Sequence, residues 1–357
     1  MAIRSIITAS GSCIPTKLIP NSFFNEHSFY EIDGSVIQKA NVDVIEKFRE
    51  ITSITERRYA EDDQVASDLA VIAARDTFES SGFDPELLDY IIVAHNFGDV
   101  IHQSNRVDIV PSLASRVKQK LGIKNSDCVA YDLPFGCPGW LQGVIQADYY
   151  IKSGDAKHVM VIGAETLSRI IDPHDRDSMI YADGAGAVIM SASENNSNAG
   201  IIAHKTRTDA VDQAFLLKMQ CSSNIDFNPN DLYLKMNGRK LYEYALTNVP
   251  IVVNQSLEKA GVKLADIKKV LIHQANAKMD EAILKRIFQL NGITGDADKI
   301  MPMTIELLGN SSVATIPTLL DKILKKQMPD HTIESGDLVV FASVGAGMNI
   351  NSVVYRF

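Results

Sequence analysis

Two stretches about half a chain apart carry the same punctuation, and this constrains the fold more than any single motif. Gly82-Phe83-Asp84-Pro85-Glu86-Leu87-Leu88-Asp89-Tyr90 leads into Ile91-Ile92-Val93-Ala94, and Gly261-Val262-Lys263-Leu264-Ala265-Asp266-Ile267-Lys268-Lys269 leads into Val270-Leu271-Ile272-His273. The two align without a gap, each a helix end, a glycine stop, a short turn and a buried strand. Further on, Phe135-Gly136-Cys137 matches Leu308-Gly309-Asn310, and each is followed by a helix-like stretch (141–152; 313–326). A Gly-Asp pair (Gly154-Asp155; Gly336-Asp337) then precedes an apolar strand (His158 to Ile162; Leu338 to Ala342). A repeat of this length points to one fold built twice. Alternating strands and helices imply an α/β protein with a mainly parallel sheet, its strands apolar throughout because both faces are covered. The chain of 357 residues, 46% of them hydrophobic, has ample material for two such units. The polar run Glu194-Asn195-Asn196-Ser197-Asn198 is the expected seam, giving halves of 1–194 and 195–357.

The duplication also collects chemistry. Cys137 and Asn310 fall at equivalent strand-to-helix junctions, and His273 ends a strand of the second half. Two-fold related halves bring such positions together at their interface, although no single stretch contains them. Cys137 sits in Asp132-Leu133-Pro134-Phe135-Gly136-Cys137-Pro138-Gly139-Trp140, between a strand-like run (Cys128 to Tyr131) and a helix-like run (Leu141 to Lys152). Pro138 suits the first helical position, so the sulfur is expected at a helix N-terminus, where partial positive charge favours a thiolate. A free cysteine is also often just a small buried hydrophobe. The helix dipole supplies roughly 0.3–1 kcal/mol against about 1.4 kcal/mol per pKa unit, so a histidine is needed for further activation. His273 is followed by Gln274-Ala275-Asn276, a polar break after an apolar strand, which distinguishes it from a satisfied core histidine. Asn310 carries no titratable proton. It can donate to a developing oxyanion, a contact worth about 10²–10³ in rate.

Other classes recede. The net charge of −9 argues against nucleic acid as a general partner. No run approaches the ~20 apolar residues of a membrane span, and the first residues lack the pattern of a secretory signal. Cys13, Cys128, Cys137 and Cys221 show no metal-ligand spacing, so reduced thiols in a cytoplasm are expected rather than a disulfide frame.

Gly136-Cys137, His273-Gln274-Ala275-Asn276, Gly309-Asn310-Ser311-Ser312 and Gly345-Ala346-Gly347-Met348-Asn349 together resemble 3-oxoacyl-[acyl-carrier-protein] synthase III, of the thiolase-like condensing enzymes. The likeness extends over most of the chain, including Asp172-Pro173-His174-Asp175-Arg176 and Asp183-Gly184-Ala185-Gly186-Ala187. It implies a five-layered αβαβα thiolase fold, a homodimer, and a decarboxylative condensation without metal or organic cofactor. Cys137 would take an acyl group from a thioester, acyl-CoA or acyl-carrier protein. Malonyl-carrier protein would lose carbon dioxide, and its carbanion would attack the acyl-enzyme to give a 3-oxoacyl product. The resemblance assigns His273 and Asn310 to the malonyl thioester oxygen, and the N–H groups of Cys137 and Ala346 to the oxyanion hole. Family members usually have Gly where Ala346 stands, which leaves a backbone donor in place. Arg176, Asn237, Gly238, Asn276 and Val110 match substrate and pantetheine positions. Lys278, with Arg239 and Lys240, matches a basic surface that meets acyl carrier protein, a solvated charge being the plainer reading of each. Elongating ketosynthases would show His at Asn310, and thiolases a second Cys in the C-terminal glycine loop.

The chain departs from the housekeeping members in two places. They clamp the adenine of coenzyme A with a Trp and an Arg, where this chain has Lys47 and Ile51; the third clamp residue, Arg176, is kept. The loop from Asn96 to Ser112 is longer, and Val110 replaces a pocket-capping aromatic, which suggests room for a longer acyl chain. Carrier-bound donors and a specialised ketosynthase, such as one building alkylresorcinols or polyenes, are therefore expected alongside fatty-acid initiation. A non-decarboxylating acyltransferase or thioesterase on the same scaffold is the alternative. A non-catalytic partner subunit is disfavoured, since all three reactive groups are present. Trp140 and the methionines Met179, Met190, Met301 and Met303 read as packing.

Overall fold

The computed structural model describes residues 3–193 and 198–357. Two sheets dominate. The first contains β1 (Arg4–Cys13), β2 (Tyr90–His95), β3 (Val129–Pro134), β4 (His158–Thr166) and β5 (Asp183–Ser193), in the spatial order β1-β5-β4-β2-β3. The second contains β6 (Gly200–Thr208), β7 (Ile267–Ile272), β8 (Leu338–Gly345) and β9 (Asn349–Arg356), in the order β6-β9-β8-β7. The order repeats strand for strand, with β3 as an addition at one edge. The change from one sheet to the other falls between β5 and β6, and residues 194–197 of the expected seam lie outside the described residues.

Each long strand sends alternate residues to opposite faces, and these faces define the layers. Ile92, Val159 and Val161 of the first sheet, with Val339 and Phe341 of the second, pack on two helices held between the sheets: α4 (Gly139–Ser153) and α7 (Thr315–Leu324). The neighbours Ile91, Val93, Met160 and Ile162 face outward onto α2 (Ala66–Ser81) and α3 (Leu113–Leu121). Val340, Ala342 and Val354 face outward onto α5 (Gly238–Ala260) and α6 (Ala277–Leu290). The result is the expected αβαβα stack of five layers. Trp140, 2% exposed, belongs to the central layer, and Met179, Met190 and Met301 are likewise buried.

The sheets are mixed, which corrects the expectation of mainly parallel pairing. β2 pairs in parallel with β3 and β4, and β7 with β8, but β4–β5, β1–β5, β8–β9 and β6–β9 are antiparallel. Only Ala346, Gly347 and Met348 separate β8 from β9. A parallel return needs a crossover of a dozen or more residues, so this connection must fold back on itself.

A cap covers the end of the stack where the parallel strands finish. It includes α1 (Asn41–Thr52), whose Val44, Ile45 and Phe48 pack beside Phe24 and Met179. The Asn96–Ser112 loop forms a small hairpin in which Asp99–Val100 pairs with Val107–Asp108.

Candidate active site

Three chain reversals meet at that end. After β3 the chain turns through Phe135 and Gly136 into Cys137, and α4 begins at Gly139. Pro138 caps this helix rather than opening it. Gly136 has φ +68°, and a Cβ there would lie 2.9 Å from both N and O of Ala346, so the close approach of the two loops requires glycine. The approach is reciprocal. A Cβ on Gly345 would stand 2.6 Å from the amide nitrogen of Cys137. The Ala346 carbonyl accepts from Asn349 Nδ2 at 2.8 Å, which fixes the orientation of this turn.

Cys137 is half-buried. Burial pushes its thiol up to about 11, while a hydrogen bond from Ser312 Oγ at 3.2 Å opposes that rise. This reverses the expected sign: the cost of placing a thiolate in a low-dielectric site exceeds what one helix end returns. His273 follows β7, its N–H donating to Ala342 O at 2.9 Å, and is 3% exposed. Burial pushes its imidazole down to about 4, so the ring is neutral near pH 7. The resting pair is thus an uncharged thiol and an uncharged imidazole.

The remaining contacts set directions. His273 Nδ1 lies 2.8 Å from Thr315 Oγ1, which is also 3.0 Å from Ser312 O. A hydroxyl has one hydrogen. Given to Ser312 O, it leaves Nδ1–H as donor to Thr315 and Nε2 as acceptor; given to Nδ1, it leaves Nε2–H as donor. Asn310 Oδ1 accepts from Ser312 N at 2.8 Å, which assigns Nδ2 as the amide's free donor. Behind Ser312 stands Asn96. Its Nδ2 donates to Ser312 Oγ at 2.8 Å and to Glu165 Oε1 at 2.5 Å, and its backbone N–H reaches the same Glu165 oxygen at 2.5 Å. Glu165 is 1% exposed, and burial pushes it up to about 8.

Cys137, His273, Asn310 and Ala346 line one cavity of about 1210 Å³. Arg176, Gly238 and Asn276 line it too, as do Lys47 and Ile51, so all three positions of the adenine clamp converge on its mouth. Asn276 additionally caps α6, its side chain accepting from Met279 N at 3.1 Å. Asn237 caps α5 in the same way and stands outside the lining, where its neighbour Gly238 takes the place. Arg239, Lys240 and Lys278 are exposed, each within two residues of a lining residue; Arg239 is paired with Glu243 at 3.1 Å. Val110 requires a correction. It is 81% exposed and does not line this cavity, because the 99–108 hairpin, tied by Asp108 to Arg116 at 2.7 Å, carries it outward. Asn96, Glu165, Ser312 and Thr315 complete the site, with no chemical role legible in the sequence. Only Ser312 had a signal, as the last residue of the Gly-Asn-Ser-Ser motif.

Among the described residues no cluster of His, Cys, Asp and Glu has metal-binding geometry, and no helix is long and apolar enough to cross a membrane. A family profile described as 3-oxoacyl-[acyl-carrier-protein] synthase III matches residues 131–210, and the corresponding C-terminal profile matches residues 257–357. The β-ketoacyl-[acyl-carrier-protein] synthase III of Erythrobacter litoralis is 32% identical, covering 99% of this chain and 100% of its own length. That of Wolbachia pipientis wMel is 32% identical over 99% of each. The crystal structure of the Thermus thermophilus β-ketoacyl-[acyl carrier protein] synthase III superposes with a TM-score of 0.80 at 27% identity, covering 98% of each chain.

Proposed function

The chain belongs to the 3-oxoacyl-[acyl-carrier-protein] synthase III family, and from that premise we propose a division of labour among its residues. It is a condensing acyltransferase that joins an acyl thioester to malonyl-carrier protein through an acyl-cysteine. Cys137 is the acylated nucleophile. Its proton passes to His273 Nε2, its sulfur attacks the thioester carbonyl, and the departing thiol recovers the proton. The N–H groups of Cys137 and Ala346 hold the oxyanion. Before the second step the ring proton of His273 exchanges with solvent from Nδ1 to Nε2 and the Thr315 hydroxyl turns to donate to Nδ1; Nε2–H and Asn310 Nδ2 then donate to the malonyl thioester oxygen as it gains enolate charge. The bond to the carboxylate breaks, carbon dioxide leaves, and the new carbanion attacks the acyl-enzyme. The observation that carries this reading is the convergence of a thiol, a neutral imidazole and an oriented amide in one cavity, beside two backbone donors. No metal or organic cofactor has a part in these steps.

The donor is a carrier-bound chain of medium length. Of the clamp positions, Lys47 is paired with Glu50 at 2.9 Å, Ile51 offers no hydrogen bond, and Arg176 is paired with Glu31 at 3.3 Å. Glu31 and Asp43 stand beside Lys39, Lys47 and Arg176, and Glu50 and Glu31 pair with Lys47 and Arg176, so most of the positive charge that coenzyme A phosphates would meet at the entrance is neutralised. Base–aromatic stacking is worth about 1–3 kcal/mol, so acyl-CoA is weakened by roughly ten- to a hundredfold against an enzyme with the clamp. The cavity is mostly apolar and runs without a break from the clamp positions to Cys137, which suits a pantetheine arm carrying an apolar acyl chain. Lys278, with Lys240 and Arg239 near the mouth, meets the acidic carrier. Edge strand β3 and the exposed Ile101, Val107, Ile109 and Val110 form the homodimer face.

Intact-mass analysis with octanoyl-carrier protein and acetyl-CoA in competition, followed by malonyl-carrier protein, tests the whole scheme. Octanoylation of Cys137 and release of a 3-oxodecanoyl-carrier product are expected. Acetyl-CoA priming with equal or higher kcat/KM refutes the donor assignment. Turnover without carbon dioxide release refutes the condensation and favours a simple acyltransferase or thioesterase.

A further inference from the structure

Ser312 is bonded to the surroundings of all three reactive groups. Its N–H donates to Asn310 Oδ1 at 2.8 Å, its carbonyl accepts from the Thr315 hydroxyl that supports His273, and its Oγ lies 3.2 Å from Cys137 Sγ. It is 3% exposed and has φ +52°, in the left-handed region that side chains seldom occupy. Such a backbone persists only where its surroundings over-determine it, and it turns this hydroxyl toward the sulfur. The direction of the hydrogen bond also follows. Asn96 Nδ2 occupies a lone pair of Ser312 Oγ, and Glu165 locks Asn96 through two N–H groups. The single hydroxyl hydrogen is left for Cys137.

We propose that Ser312 is a fourth catalytic residue, whose hydroxyl donates to the Cys137 sulfur whenever that sulfur carries negative charge, with Asn96 and Glu165 as its positioning residues. Negative charge appears on the sulfur twice. In acylation the S–H proton moves to His273 Nε2 and the sulfur–acyl bond forms as the donor's carbon–sulfur bond breaks. In condensation the new carbon–carbon bond forms, the sulfur–acyl bond breaks, and Cys137 leaves as a thiolate that takes up the proton drawn from solvent. Between these events, during decarboxylation, the sulfur is a neutral thioester and the hydroxyl has nothing to stabilise. Ser312 is therefore separable from His273 and Asn310 by the step it affects.

The inference rests on Cys137 being the acylated nucleophile, but its main test needs no substrate. The rate of Cys137 alkylation by iodoacetamide is measured from pH 6 to 10 in the wild type, Ser312→Ala and Asn96→Ala. A hydrogen bond to a charged group moves the thiol midpoint by about one to two pH units. A more basic thiolate is also more nucleophilic, with a Brønsted coefficient of about 0.4–0.5, so the net slowing in Ser312→Ala is about three- to tenfold at neutral pH. Acyl-enzyme formation falls in parallel, while malonyl decarboxylation by enzyme already acylated stays within about twofold of wild type. Asn96→Ala, which leaves Ser312 intact, shifts alkylation in the same direction by a smaller factor and serves if Ser312→Ala does not fold. An unchanged alkylation profile in Ser312→Ala overturns the proposal. So does normal acylation despite slowed alkylation.

Discussion

Replacing Gly345 by alanine adds one carbon and two hydrogens at the point where the two catalytic loops touch. Gly345 has φ −170° and ψ −165°, extended values open to any residue, so backbone conformation contributes no penalty. The contacts do. The new Cβ would lie 2.6 Å from Cys137 N, 2.7 Å from Pro138 Cδ and 2.8 Å from Cys137 Cβ. None of these is the free end of a flexible side chain. Carbon atoms pack at about 3.5–4.0 Å, so the loops must separate by roughly 0.7 Å or more. The N–H groups of Cys137 and Ala346 sit on opposite sides of that gap. Losing one oxyanion donor costs about 10²–10³ in rate, and a 1 Å misplacement about 10², so acylation in Gly345→Ala should fall by about two orders of magnitude. Rapid-quench intact-mass spectrometry of Cys137 acylation reads this directly, with thermal unfolding as the check on folding. A folded variant that acylates at the wild-type rate would refute the oxyanion assignment and reduce Gly345 to a packing residue.

Three further outcomes are expected. His273→Ala and Asn310→Ala should still form acyl-enzyme, more slowly for His273→Ala, yet lose malonyl decarboxylation by about 10²-fold; failure at acylation with normal carbon dioxide release would reverse the roles. The contribution of His273 to stability should fall on acidification, opposing the gain from Glu165, because His273 is held near 4 against its ordinary 6.5 while Glu165 is held near 8 against 4.5. Below pH 6.5 the unfolded chain binds a proton that the folded one refuses, so roughly 2 kcal/mol is lost by pH 5 and 3 by pH 4. Stability at pH 5 relative to pH 7, read from urea midpoints, should therefore be about 2 kcal/mol higher in His273→Gln than in the wild type, and an unchanged pH dependence would exclude a contribution from this histidine. Lys278→Glu should raise KM for malonyl-carrier protein and flatten its dependence on salt, since a surface charge steers an acidic partner; unchanged kinetics would mark Lys278 as an ordinary solvated lysine.

Much of this was legible in the sequence because the repeat is carried by punctuation, glycine stops and strand onsets, which survive divergence. The alignment of Cys137 with Asn310 and the strand-end position of His273 followed from it, and all three line the cavity. Strand direction was not legible. β4 and β5 are apolar nearly throughout because helices or strands cover both of their faces, and an all-apolar run looks the same whether its neighbour is parallel or antiparallel. The ionisation of Cys137 was not legible either, because a helix start is visible in a sequence and burial is not. Val110 lies in an insertion without periodicity, so nothing local showed which way the hairpin would carry it. The Glu165–Asn96–Ser312 chain joins residues from three distant segments, and only Ser312, at the end of its motif, stands out in isolation.

The central helices α4 and α7 give the two halves a common interior, with Trp140 packed edge-on against Phe341 at 6.2 Å between ring centroids. Nucleophile and turn are therefore delivered by different sheets, and their alignment is only as good as the seating of one sheet against the other through that shared layer. Activity becomes a gauge of this seating. A substitution deep in the interior, such as Val313→Ala or Phe341→Leu, can leave every helix and strand intact and still silence the enzyme, because the reaction responds to displacements of tenths of an ångström that spectroscopic measures of secondary structure do not register.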